Sequence, residues 1–85
     1  MHIVRIHPRA IKDLKSIPKS ERERIKNALI KLENSPTPTG SQKLKRTLNQ
    51  WRLRVGNYRI LYEIEKKEIV IYRIRHRKEV YRQLN

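Results

Sequence analysis

The sequence predicts an α+β fold: a short N-terminal strand, two helices packed on an antiparallel β-sheet, and a short basic C-terminal tail. Three observations predict it. Apolar residues recur at helical spacing over residues 9–34. From Lys43 onward the period changes to two. Between the two regimes lies SPTPTGSQ (35–42), rich in the residues that break regular structure. Helices and strands segregated in this way place both helices over one face of the sheet.

Residues 2–6 (HIVRI) are short and rich in β-branched side chains, and Pro8 follows, so a first strand ends just before a helix. Ala10, Ile11, Leu14 and Ile17 share the face of a helix over 9–17, and Pro18 stops it. Ser20 and Glu23 have the spacing of a capping box at the start of a second helix. Ile25, Ala28, Leu29 and Leu32 carry that helix to about Asn34. Residues 35–42 read as a loop rather than a domain boundary, because neither side is long enough to fold alone. Trp51, Leu53 and Val55 then alternate with Arg52 and Arg54, and Gly56-Asn57 fits a two-residue type II′ turn. The return strand covers 58–64, a polar turn follows, and 69–75 form the last long strand. Residues 76–84 are the basic tail. The 85 residues make one domain, 1–85, with no internal repeat.

Charge narrows the function. Lys and Arg number 22 against 8 Asp and Glu, a formal net charge of +14. So much like charge on a small body points to a polyanionic partner. The chain has no cysteine, which excludes disulfides and thiolate chemistry. His2, His7 and His76 are too scattered for a metal set, and two glycines provide no phosphate-binding Gly-rich loop, so neither metal nor cofactor is expected. No apolar run approaches the ~18 residues of a membrane span, and MHIVRIHP has no signal-peptide core; a soluble, cytoplasmic protein is expected.

Register makes the arginines informative. A turn at 56–57 sets Val55 against Tyr58, Leu53 against Ile60 and Trp51 against Tyr62 on an apolar face. The other face then places Arg54 against Arg59 and Arg52 against Leu61. A three-residue loop at 66–68 pairs Ile60 with Ile74, Tyr62 with Tyr72 and Ile64 with Val70, and brings Arg75 beside Arg59 and Arg73 beside Leu61. A two-residue turn would push Arg73 into the core, which desolvation opposes. One face is therefore expected to gather Arg52, Arg54, Arg59, Arg73 and Arg75, although like charges facing each other across strands are destabilising. The stretch 35–62 holds six basic residues, Lys43, Lys45 and Arg46 among them, and no acid. A solvated face with counterions is the plainer account. A phosphate-binding face is the sharper one, because Arg favours bidentate phosphate contact. Lys43, Lys45, Arg46, Arg73, Arg75 and Lys78 are the further candidates for binding the phosphates of a nucleic acid. Leu61 and Ile71 fall on the arginine face and suggest that a protein partner covers it.

The tail carries the titratable groups. His76 and Tyr81 lie in a positive neighbourhood, which favours neutral imidazole and phenolate and suits either as a base. Arginine stays protonated but can stabilise charge on a phosphorane. Trp51, Tyr58, Tyr62 and Tyr72 read as core.

These segments also resemble a known family. HPRAIKDLKSIPKSERERI, KLK, WRLRVGNYRILYEI and IYRIRHRKEVY, in that order and spacing, are similar to the RelE/ParE superfamily of toxin–antitoxin toxins, and within it to RelE-type mRNA interferases. The resemblance spans nearly the whole chain and implies the same fold. It implies a ribosome-dependent endoribonuclease acting on mRNA in the ribosomal A site, where the 2′-hydroxyl attacks the adjacent phosphate. It further implies a catalytic set of Arg52, Arg54, Arg59, Arg77 (with Arg75 the alternative) and Tyr81, and it makes RNA the nucleic acid whose phosphates Lys43, Lys45, Arg46, Arg73, Arg75 and Lys78 would bind. Some RelE-type toxins carry Lys where Arg52 and Arg54 stand, so the base lies between Tyr81 and His76. The implied partners are mRNA, the ribosome and a cognate acidic, RelB-like antitoxin in a hetero-oligomer, with no membrane involved. Two alternatives remain: a ParE-like inhibitor of DNA gyrase, and a non-catalytic nucleic-acid-binding module.

Overall fold

His7 ends the first strand and opens the first helix. Its Nδ1 accepts the amide of Arg9 at 3.1 Å. Pro8 takes the first helical position, where its missing N–H has no partner to lose. The computed structural model describes residues 1–45 and 49–78 and begins with β1 (Ile3–Ile6) leading into α1 (Pro8–Lys15). The second helix, α2 (Lys19–Leu32), starts earlier than the capping-box reading. Pro18 is its N-cap, no side chain caps it, and Ser20 lies inside the helix. Ile17, the last residue of the link, is buried. Seating it in the core leaves the chain turning directly at Pro18, whose fixed φ suits an extended exit from α1. The Ser20–Glu23 box is thus corrected, and the helix ends at Leu32 rather than Asn34.

Four further strands follow: β2 (Ser41–Lys43), β3 (Gln50–Val55), β4 (Tyr58–Glu65) and β5 (Glu68–His76). They join β1 in a five-stranded sheet in the order β1-β5-β4-β3-β2. All neighbours are antiparallel except β1, which runs parallel to β5 at one edge. The end of the expected loop at 35–42 is therefore strand: Ser41 and Gln42 pair with Leu53 and Arg52. The loop is tied down where the hydroxyl of fully buried Tyr62 donates to the Pro36 carbonyl at 2.8 Å.

The first hairpin has the expected register, Val55 to Tyr58 through Trp51 to Tyr62. Gly56 takes φ 60° while Asn57 stays at negative φ, as a type II′ turn requires. The second hairpin differs. Its connection is a two-residue turn, Lys66-Lys67, between Glu65 and Glu68, and Lys66 adopts φ 54°. Ile64 pairs with Ile69 and Tyr62 with Ile71, rather than with Val70 and Tyr72. A β-bulge at Tyr72 then restores the phase, so Leu61 meets Arg73, Ile60 meets Ile74 and Arg59 meets Arg75. The tight turn and the exclusion of Arg73 from the core are both satisfied by one extra residue. Ile71 is consequently fully buried and not on the arginine face. Tyr72 is half-buried and leaves the core.

The core lies between the helices and one sheet face. α1, α2 and their link contribute Ala10, Leu14, Ile17, Ile25, Leu29 and Leu32; the sheet contributes Leu53, Ile60, Tyr62, Ile69, Ile71 and Ile74. Trp51, Val55 and Tyr58 pack at its margin.

Candidate nucleic-acid interface

The opposite sheet face carries the arginines. In register across β3, β4 and β5 stand Arg54, Arg59 and Arg75, with Arg52 against Leu61 one step along. Strand alternation sets all four on the side away from the helices. Arg54 is exposed, while Arg59 between its two cationic neighbours is only 8% exposed. Arg59 donates to the Tyr58 carbonyl at 3.3 Å. Arg52 donates to Gln42 Oε1 at 2.9 Å, so edge strand β2 orients it. Among the described residues, no carboxylate forms an ion pair with Arg52, Arg54 or Arg59. The acids on this face lie toward its other end: Glu63, held by Gln50 at 3.2 Å, and the pair Glu65 and Glu68 beyond it. Together with burial, which comes first, Glu63 raises the Tyr72 hydroxyl above the ordinary tyrosine value.

Other residues singled out from the sequence are distributed differently. Arg73 pairs with Leu61 in register, but its guanidinium turns to Asp13 of α1, with Nε 2.9 Å and Nη2 3.2 Å from the two carboxylate oxygens. Lys43 pairs with Trp51 and so falls on the helix side of the edge strand, and Lys45 is exposed beyond it. His76 lies opposite Tyr58 on the helix side, the two rings edge to face at 5.4 Å. Its Nδ1 accepts the Lys78 amide at 3.3 Å. In a neutral imidazole that places the proton on Nε2. Arg77 and Lys78 are exposed, and the Arg77 amide donates to the Asn57 carbonyl at 2.8 Å, anchoring the chain to the first hairpin turn. Arg46 and Tyr81 lie outside the described residues.

Two residues that the sequence did not single out shape this region. Gln42 fixes Arg52, and Asp13 holds both Arg73 and the Ile74 amide. Neither belongs to a local motif, since each acts on a strand far away in sequence. Among the described residues no cluster of three His, Cys, Asp or Glu side chains could hold a metal ion. No helix among them is long and apolar enough to cross a membrane.

Two helices over one face of a five-stranded sheet, with arginines gathered on the other face, define a class of small basic α+β domain. The chain belongs to the ParE toxin family of type II toxin–antitoxin systems (parDE), whose model matches residues 4–81, within the RelE/ParE superfamily. It is 39% identical over 75 residues to the toxin RelE3 of Methanocaldococcus jannaschii, covering 84% of this chain and 85% of that one. Its fold superposes on the RelB–RelE antitoxin–toxin complex of Methanococcus jannaschii with TM-score 0.79 at 34% identity, over 91% of this chain and 94% of that chain. The archaeal RelE–RelB complex of Pyrococcus horikoshii gives 0.80 at 31%, over 89% and 94%. The isolated Escherichia coli RelE toxin shares the fold at 18% identity, with TM-score 0.76 over 100% of each chain.

Proposed function

We propose that this toxin is an endoribonuclease that cleaves mRNA on the ribosome and is silenced by an acidic, RelB-like antitoxin in a hetero-oligomer. The observation that carries the reading is the arginine face: Arg52, Arg54, Arg59 and Arg75 on three adjacent strands, the first three without carboxylate partners among the described residues. Cross-strand repulsion makes such a face costly for folding alone. A phosphate group offsets that repulsion and accepts paired guanidinium hydrogen bonds. The RelB–RelE complexes among its structural relatives support the antitoxin partner. Ribosomes as the site of action put the protein in the cytoplasm.

In the proposed reaction the 2′-hydroxyl oxygen bonds to the adjacent phosphorus and the P–O5′ bond breaks. The 2′ proton passes to a base and the departing O5′ takes up a proton, leaving a cyclic phosphate and a 5′-hydroxyl. Arg52, Arg54 and Arg59, with Arg77 or its alternative Arg75, stabilise the added charge on phosphorus. Tyr81 is the favoured base. His76 is the weaker candidate, because its Nδ1 is occupied by the Lys78 amide and the ring lies beside Tyr58 on the helix side. Lys45, Arg46 and Lys78 bind flanking phosphates.

The test is cleavage of mRNA in a translation extract. Wild type shortens ribosome-bound mRNA. Tyr81→Phe slows that step by on the order of 10²–10⁴-fold while ribosome affinity holds, and His76→Gln has the smaller effect. The reverse ranking makes His76 the base. The matching family description names ParE, which favours a second reading, inhibition of DNA gyrase. Wild-type protein that leaves mRNA intact and traps gyrase on DNA establishes that reading instead.

A further inference from the structure

β5 outruns its neighbour. β1 pairs with it only over Glu68–Ile71, and the chain then leaves the sheet at His7, whose amide donates to the Ile71 carbonyl at 2.7 Å. On that side β5 continues past the Tyr72 bulge to His76 with no strand beside it among the described residues. Asp13 of α1 occupies the vacated edge. Its Oδ2 accepts the backbone amide of Ile74 at 2.9 Å, the bond a neighbouring strand would otherwise make. The same oxygen accepts Arg73 Nε at 2.9 Å, and Oδ1 accepts Arg73 Nη2 at 3.2 Å. The Asp13 and Arg73 side chains are 17% and 30% exposed, so water competes weakly for these bonds.

We propose that Asp13 is a positioning residue for the arginine face: its carboxylate stands in for the missing edge strand and fixes the Ile74–His76 end of β5, and with it Arg75 beside Arg59. This rests on the ribonuclease reading given above. Three features support it. The clamp lies directly after the bulge, where the ladder is disrupted and strand direction is least constrained by sheet pairing alone. One residue beyond it stands Arg75, in register with Arg59. The carboxylate holds a backbone amide and a planar guanidinium together, which fixes orientation as well as distance. A displacement of about 1 Å in a charge-stabilising group can cost about 10²-fold in rate.

The experiment compares wild type, Asp13→Ala and Asp13→Asn by ribosome-dependent mRNA cleavage under single-turnover conditions, by ribosome affinity, and by amide hydrogen exchange. Asp13→Asn keeps a carbonyl acceptor for the Ile74 amide and loses the charge. Asp13→Ala should cut the cleavage rate about 10- to 100-fold with ribosome affinity within about twofold of wild type. In the same variant exchange should quicken at Ile74 and neighbouring β5 amides, while the β3–β4 amides stay protected. Asp13→Asn should recover part of both the rate and the Ile74 protection. Wild-type cleavage by Asp13→Ala with an unprotected Ile74 amide overturns the proposal, as does a loss of rate that comes only with loss of protection throughout the sheet. Should wild type itself not cleave mRNA, the ribonuclease reading fails, and exchange decides the clamp alone: selective loosening of 74–76 upholds it, and unchanged protection refutes it.

Discussion

Arg59 is the sharpest point at which the proposed function and stability oppose each other. It is 8% exposed, lies between Arg54 and Arg75 in cross-strand register, and donates one long hydrogen bond, 3.3 Å to the carbonyl of its neighbour Tyr58. Replacing it by Met keeps an unbranched stem and removes the charge. Each like-charged cross-strand pair costs roughly 0.2–1 kcal/mol, so two pairs bound the relief at about 0.4–2 kcal/mol. Arg54 is exposed and its share sits at the low end. The hydrogen bond to the Tyr58 carbonyl, which Met cannot make, is worth little at that distance. We expect Arg59→Met to stabilise the fold by about 1 kcal/mol, a rise of about 4–8 °C in Tm for a domain of this size. Thermal unfolding followed by circular dichroism at low and high NaCl is the assay. Wild-type Tm should climb with salt as the like charges are screened, and the variant should climb less. Cleavage should be lost. A fall in Tm with unchanged salt dependence would mean that the guanidinium supports the fold, and the repulsion account would be wrong.

Two other outcomes follow from the same structure. Affinity for RNA or ribosomes should drop by orders of magnitude between ~50 and ~200 mM salt if six or more phosphate contacts form; a flat response removes the arginine face as the binding face. Lys66 holds the left-handed conformation at φ 54° in the second hairpin turn, so Lys66→Gly should stabilise the fold by roughly 1 kcal/mol, and a lower Tm in that variant would show that the turn carries no such strain.

The first hairpin is legible because two local signals agree: the Gly56-Asn57 turn and the alternation of Trp51, Leu53 and Val55 with Arg52 and Arg54. Its register therefore places Arg54 against Arg59 correctly. The second hairpin defeats a local reading because two rules conflict, a short turn and the exclusion of Arg73 from the core. The bulge at Tyr72 reconciles them and has no signature in a single sequence. The same residue of slip separates the expected place of Ile71, on the arginine face, from its real one in the core. Ser20 and Glu23 have sound capping spacing, but burying Ile17 starts the helix earlier.

The sequence alone determined the fold class, the cationic character and which residues of β3 and β4 share a face, because hydrophobic periodicity, charge and a glycine turn are local properties of the chain. Only the tertiary structure decided what each arginine meets. Arg73 and Arg75 are both basic residues of one strand, yet Arg73 turns to Asp13 while Arg75 stands in register with Arg59. That choice depends on where β1 stops and where α1 crosses the edge of β5. It rests on contacts between residues some 60 positions apart, such as Asp13 and Ile74, which no local pattern encodes.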